Sequence, residues 1–435
     1  MSLATRLAHR RIHYGWIVAA VTFLVLLSSA GVRATPSILI VPLEREFGWT
    51  RATISLAVSI NLILYGLMGP FAAALMQRLG VRTTVLISAA TLTVGVALTP
   101  LMRAPWQLIL LWGVVVGAGT GMTALVLGAT VVNRWFTARR GLVMGILTAS
   151  TATGQLVFLP LLATMVERHG WRTATLLVAG AVLLIIPLVL LLLRERPEDV
   201  GLAPYGEHGS PGRDKGGTPV STSAGALAGL RQGARSRDFW LLAGSFFICG
   251  ASTNGLIGTH LIPACTDHGI SEVRAAGLLA TMGVFDFIGT TGSGWLSDRW
   301  NNRYLLSWYY GLRGLSLVFL PYALDHTLLG LPLFAVFYGL DWIATVPPTV
   351  RLTANVFGRE NAPLMFGWIV AAHQLGAATA AFGAGALRTA LGGYVQAFTI
   401  AGALCLVAAV LVLGIDRRPA GRRMSGIEVE SGALA

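Results

Sequence analysis

Twelve runs of mostly apolar residues, each roughly twenty to thirty residues long, leave this chain few ways to fold. A helix of about 20 residues crosses the ~30 Å hydrocarbon core of a bilayer. Lipid offers no partner for an unpaired backbone group, so spanning segments are helices or closed barrels. The runs read 14–43, 51–76, 82–102, 106–134, 141–166, 172–193, 238–265, 273–296, 304–324, 328–354, 362–387 and 392–415. Charged residues make up 12% of the chain, against about 25% in soluble domains, and mean hydropathy is +0.69. A soluble multidomain protein is excluded. The fold class expected is an all-α membrane protein with twelve transmembrane helices.

Residues 1–13 are short and basic, and the apolar run behind them is too long for a signal-peptide core, so a retained first helix is expected. Between the sixth and seventh runs lies GEHGSPGRDKGGTPVSTSAG, a flexible linker by composition. The organisation expected is therefore a six-helix bundle over 1–193, a linker over 194–237, a second bundle over 238–415 and a tail over 416–435.

The formal net charge of +13 invites a nucleic-acid reading, but the basic residues follow the membrane. With the N-terminus inside, 22 of the 32 Lys and Arg fall in cytoplasmic segments, seven in the opposite loops and three within spans. Such asymmetry is the signature of topology. Both termini are expected in the cytoplasm, no nucleic-acid partner is expected, and the bilayer is the chain's environment. Cys249, Cys265 and Cys405 are scattered and have neither metal-ligand nor redox spacing. Gly113, Gly117, Gly119 and Gly121 imitate a nucleotide loop, but they lie inside the fourth span, where small residues let helices approach closely. Neither a metal nor a cofactor is expected.

The two halves repeat at a nearly fixed offset. Pro42 aligns on Pro263, Gly48 on Gly269 and Arg78 on Arg299, each pair 221 residues apart. NRWFTARRGLVMG and NVFGRENAPLMFG follow at an offset of 222. Duplicated bundles of this kind bind solute near the bilayer midplane, at the interface of the repeats.

Six spans, a linker, six spans and an Asp-Arg loop after the second span of a half resemble the major facilitator superfamily. Its hallmark loop reads roughly Gly-x-x-x-Asp-Arg-x-Gly-Arg/Lys. The second half carries GWLSDRWNNR, with Gly294, Asp298 and Arg299 in place but Asn301 where Gly is usual. The first half carries AALMQRLGVR, keeping Arg78 and Gly80 but placing Gln77 where the Asp belongs. The resemblance makes Arg78, Gly80, Asp298 and Arg299 a gating motif, with a weaker latch in the first half. HYGWIV, PLEREFGWTRATIS, WFTARRGLVMGI and RERPEDVGLAPYG are similar to the monocarboxylate porter and oxalate–formate antiporter branch. That implies a non-enzymatic secondary transporter of small organic anions, working by alternating access as a proton-coupled monocarboxylate symporter. An anion exchanger carrying carboxylates or dicarboxylates is the alternative, and multidrug efflux a weaker one. A bacterial inner (cytoplasmic) membrane and a monomeric carrier are expected.

Charged residues inside spans are costly and usually face a cavity or a partner. Asp286 and Arg313 lie at matching depths in adjacent antiparallel spans, which predicts a buried pair. In the functional version Asp286 takes the proton and frees Arg313 to hold a carboxylate; the alternative is a permanent strut. Arg33, in SSAGVRATPS of the first span, is the other candidate anion ligand, unless it reaches for the headgroups. Tyr65 and Asn254, which the repeat sets opposite Asp286 and Arg33, are polar candidates for substrate binding. His373 and His260 join them, with a packed structural histidine as the alternative in each case. Asp341, ahead of a break expected at Pro347 and Pro348, is a second proton-coupling candidate, the alternative being a partner that neutralises Arg33 or Arg313. Arg351, near the cytoplasmic end, is assigned to the inner gate or to topology. A solute sensor usually carries an appended signalling domain, and a membrane enzyme a His, Glu or Cys constellation near one face; neither a sensor nor an enzyme is expected.

Overall fold

The computed structural model describes residues 13–123, 125–206, 230–231 and 233–415; the expected linker segment 207–229 and the tail 416–435 lie outside the described residues. The helices follow the expected spans in order: α1 Tyr14–Phe47, α2 Arg51–Leu79, α3 Val81–Ala97 and α4 Pro105–Trp135. The run Arg140–Leu192 is two spans, α5 and α6, meeting at Gly170, whose φ of 82° no helix accommodates. The second half gives α7 Arg237–Asp267, α8 Glu272–Ser297, α9 Asn302–Asp325, α10 beginning as Gly330–Asp341, α11 Asn361–Leu391 and α12 Val395–Leu411. Ten helices among the described residues are long and apolar enough to cross a membrane by length and composition. Span five and the more polar α9 complete the twelve.

The described residues group into two compact units. One comprises the described residues within Met1–Ser223 together with Ile270–Ala280, the other those within Ala224–Gly269 and Thr281–Ala435. Within the first, α1 and α3 pack along the α5–α6 run and α2 packs on α4. Within the second, α7 packs on α11, and α9 on α10 and α12.

Local sequence explains where helices start and stop. His13 caps α1, its Nδ1 accepting the Gly15 N–H at 3.1 Å while Nε2 faces the Ala203 carbonyl at 3.0 Å. One nitrogen accepts and the other donates, which is the neutral Nε2–H tautomer. Tyr205 follows Ala203 onto the same spot, its ring 5.4 Å from His13 and 5.8 Å from Trp16. The backbone of the RERPEDVGLAPYG motif is thus strapped across the start of α1. The ends of α1 and α7 show the repeat directly, since Gly48 and Gly269 both take left-handed φ, 66° and 77°.

The fourth-span glycines do what small residues do in membranes. A Cβ on Gly117 would lie 2.8 Å from the Asn61 Cα, and one on Gly121 2.6 Å from the Met68 Cβ. Backbone therefore approaches backbone along α2 and α4. Two stretches widen to π-helix, Ile109–Val116 in α4 and Ala251–Ile257 in α7. The first leaves the Trp112 carbonyl to be met by the Asn61 side chain at 2.7 Å. π segments are rare and frequently sit at functional sites; the second one contains Asn254.

Candidate functional site

In the first unit, two of the candidate residues, Arg33 and Tyr65, come together, a pairing the sequence did not indicate. Arg33 Nη1 donates to the Tyr65 hydroxyl at 3.0 Å, and the guanidinium carbon stands 4.1 Å from the ring centroid. Tyrosine therefore holds the cation from below without neutralising it. No carboxylate among the described residues pairs with Arg33. The two residues border a small cavity that is partly open to the outside. Leu26, Ala30, Met144 and Leu147 make its walls apolar, and Ser29, Thr123 and Thr148 add hydroxyls. One fixed cation in a mostly apolar pocket is an arrangement suited to an anion with a single charged end.

In the second unit, the expected Asp286–Arg313 pair is not formed. The carboxylate partner of Arg313 is Asp341, whose Oδ2 accepts from Nε at 2.6 Å. Nη2 donates to the carbonyls of Asp341 at 2.6 Å and Trp342 at 3.0 Å, and Nη1 to the Cys249 sulfur at 3.0 Å. Four bonds thus engage a side chain that is 0% exposed. Asp286 turns elsewhere, its Oδ1 accepting from the Thr290 hydroxyl at 2.9 Å and the Ile343 N–H at 2.8 Å.

The physical reason is the break in α10. Helix stops at Asp341, the chain turns through residues 342–345, and a new helix starts at Val346 with Pro347 and Pro348 in its first turn. Proline is tolerated there because first-turn N–H groups are unpaired anyway. A broken helix leaves orphan carbonyls on one side and orphan N–H groups on the other. Arg313 satisfies the carbonyls, and Asp286 satisfies an N–H. Both charges serve one break from opposite polarities, and depth matching alone paired them wrongly with each other.

His260 is a strut in this structure. It is 0% exposed, with ring nitrogens 3.1 Å from the Tyr394 hydroxyl and 2.8 Å from the Ala381 carbonyl. That occupies both nitrogens and removes the geometry expected of a substrate ligand. His373 is only partly buried, its ring 4.8 Å from that of Phe246. The α7–α11 contact beside it is close, because Gly250 faces the His373 carbonyl and Gly376 the Phe247 carbonyl. Asn254 is also partly exposed, on the π segment.

At the gating loops, Asp298 pairs with Arg351, tying α8 to the segment after the α10 break. Arg299 instead lies on its own helix, 4.2 Å over the Trp295 ring and 3.1 Å from the Trp295 carbonyl. In the first half Arg78 is exposed, and Gly80 turns the chain with φ 87°. The acid missing at Gln77 is replaced by one the motif does not name. Glu195 accepts the N–H groups of Val81 and Arg82, each at 2.7 Å, and Arg134 at 3.1 Å. A carboxylate on the first N–H groups of α3 complements the helix dipole. A Cβ at position 80 would come within 2.5 Å of Glu195 Oε1, so glycine there makes room for the cap. Glu195, Arg134 and the Ile343 N–H were not singled out from the sequence, and Cys249 was set aside there as a scattered cysteine. Glu195 and Arg134 left a trace only as members of quoted motifs, RERPEDVGLAPYG and NRWFTARRGLVMG.

Comparison with known proteins agrees with this architecture. The family described as Major Facilitator Superfamily matches residues 21–344 and 293–431. Monocarboxylate transporter 12-B of Danio rerio is 25% identical over 424 residues, covering 92% of this chain and 87% of its own. Monocarboxylate transporter 13 of Rattus norvegicus is 26% identical over 403 residues, covering 90% and 87%. The uncharacterized MFS-type transporter YcxA of Bacillus subtilis (strain 168) is 25% identical over 384 residues, covering 87% and 90%. Among solved structures, an inward-facing, unoccupied bacterial homolog of the human lysosomal transporter Spinster superposes with a TM-score of 0.74 at 17% identity, covering 94% of this chain and 99% of that one. With twelve spanning helices, a repeat visible in its loops and a family match along most of its length, the chain belongs to the major facilitator superfamily of transporters.

Proposed function

We propose that this transporter carries small organic anions by alternating access, as a proton-coupled monocarboxylate symporter with Arg33 as the carboxylate anchor. The observation that carries the reading is Arg33 itself, a cation with no acidic partner among the described residues, set over Tyr65 in a largely apolar cavity. A carboxylate entering there gains charge-assisted bonds from a planar fork of donors. The names of the relatives favour the same substrate class. Asn254 and His373 are proposed as further substrate ligands. A dicarboxylate exchanger would call on Arg313 as its second cation, and the four bonds of Arg313 to Asp341, Trp342 and Cys249 support the single-carboxylate reading instead.

Asp286 is the proposed proton carrier. It is buried, it pairs with no arginine among the described residues, and its carboxylate sits on the hinge-like break in α10. Protonation would weaken its hold on the Ile343 N–H, so the proton and the shape of α10 would be linked. In this reading Asp341 stays with Arg313 as a strut rather than as a second proton site. The carrier works as a monomer in a bacterial inner membrane, with both termini cytoplasmic, a topology supported by the 22-to-7 distribution of basic residues in the loops.

Purified protein in liposomes tests the coupling. Uptake of pyruvate should follow an imposed inward proton gradient and stop when a protonophore dissipates it. Gradient-independent uptake that requires a preloaded anion would establish exchange and overturn the symport reading. Cysteine labelling at positions 210 and 325 from outside intact cells tests the topology: Asp325→Cys should react and Ser210→Cys should not, and the reverse pattern would invert it.

A further inference from the structure

Two kinds of glycine lie in or beside the Arg33 cavity, Gly128 in its lining and Gly31 and Gly154 packed against neighbouring side chains. Gly31 and Gly154 are sealed by their neighbours. A Cβ on Gly31 would meet the Phe158 ring at 2.7 Å, and one on Gly154 would meet the Ala30 Cβ at 2.5 Å. Helix packing alone accounts for both.

Gly128 is different. It lies in the helical segment Leu125–Trp135 of α4 and lines the cavity. A Cβ there would meet the Leu147 Cβ and Cδ1 at 3.7 Å and the Met144 sulfur at 3.8 Å, all ordinary van der Waals distances. Its φ is not positive, so its backbone does not call for glycine either. Glycine inside a helix is less stable than alanine, since it loses more chain entropy on folding. What the glycine leaves is space, facing Met144 and Leu147 on the apolar wall of the pocket that holds Arg33.

We infer that Gly128 sets the bulk of the apolar tail that the substrate anion can carry, with Met144 as the adaptable opposite wall. The inference rests on the reading of Arg33 as the carboxylate anchor. Fixing the charged end at Arg33 obliges the rest of a short carboxylic acid to lie against the remaining walls, where no second charged side chain stands among the described residues. An aliphatic tail suits that lining, and methionine, unbranched and flexible, accommodates tails of different shape. Hydrophobic pockets discriminate single methylenes by roughly 10–200-fold at most. A methyl group at position 128 is therefore expected to act as a size filter, selective against long tails and indifferent to short ones.

The test uses the full-length purified protein and two 2-oxo acids, pyruvate and 2-oxohexanoate, with ligand-dependent melting-temperature shifts giving apparent affinities. Gly128→Ala should keep the unliganded melting temperature at or above the wild-type value. It should weaken 2-oxohexanoate at least tenfold while leaving pyruvate within twofold, and Met144→Ala added to it should restore the longer acid. Equal changes for both acids, no change for either, or a large drop in unliganded stability would overturn the role of Gly128, as would a wild-type protein blind to 2-oxohexanoate. Arg33→Gln separates the two levels of the argument. If it abolishes pyruvate binding while Gly128→Ala fails to discriminate, the Gly128 inference falls alone; if it binds pyruvate like wild type, the anchor reading falls and takes the inference with it.

Discussion

Removing either member of the Arg313–Asp341 pair should be among the most damaging single changes in the second unit, and removing both together should hurt less than the sum. Arg313 is 0% and Asp341 4% exposed, so neither charge has water to turn to. Asp341→Leu removes the ion pair but leaves the bonds from Arg313 to two carbonyls and to Cys249, stranding a cation. Arg313→Met loses all four bonds, strands the carboxylate and leaves the carbonyls at the α10 break without their donor. Breaking a buried pair from one side typically costs about 3–5 kcal/mol, because the survivor is left uncompensated. Each single variant should lose about that much, with Arg313→Met the worse. The double variant Arg313→Met with Asp341→Leu leaves no charge stranded and should be less damaging than the additive expectation by at least about 2 kcal/mol. Equilibrium unfolding in mixed micelles, followed by tryptophan fluorescence, measures all three. Single losses below about 1 kcal/mol, or strict additivity in the cycle, would refute the argument that this pair braces the broken helix.

Asp286→Asn keeps an oxygen for the Thr290 hydroxyl and the Ile343 N–H, so it should change stability by less than about 1 kcal/mol while abolishing proton-driven uptake and sparing exchange of preloaded substrate; equal loss of uptake and exchange would make Asp286 structural. Glu195→Gln gives up the bidentate hold on the Val81 and Arg82 N–H groups and the pair with Arg134, and should cost about 1–2 kcal/mol of thermal stability; an unchanged melting curve would show that the cap is decorative. His13→Ala removes a helix cap worth about 1 kcal/mol and the bond to Ala203, so chymotrypsin should cut after Tyr205 faster than in wild type, and unchanged cleavage would mean the strap is held elsewhere.

What could be read in the residues divides by the range of the physics involved. Span lengths follow from apolar runs, and each of the twelve finds its helix, because bilayer thickness acts on every segment independently. One joint was marked as well, by Pro347 and Pro348 at the α10 break, and Gly170 falls in the gap left between the fifth and sixth runs. The fourth-span glycines serve close packing, as their spacing suggested. Partner choice was harder. The depth of Asp286 and Arg313 could be counted along their helices, but the direction each side chain faces depends on helix rotation, which packing alone decides. Arg313 accordingly found Asp341, and Asp286 found a backbone N–H that exists as a free donor only because α10 breaks. His260 could not be told from a ligand without seeing Tyr394 and Ala381 beside it. Glu195 escaped notice because its work is done on α3, more than a hundred residues earlier in the chain.

The central claim is that Arg33 grips the carboxylate of the substrate, and direct binding of pyruvate to purified Arg33 variants tests it with the fewest intermediaries. Lysine keeps the charge but not the two-pronged geometry, so Arg33→Lys should weaken binding by roughly 1–2 kcal/mol, about tenfold. Arg33→Gln should abolish measurable binding while the unliganded protein melts as wild type does, since no acid among the described residues depends on Arg33 for its charge. Titration calorimetry that finds wild-type affinity in Arg33→Gln would contradict the account, and the anion would have to be held elsewhere.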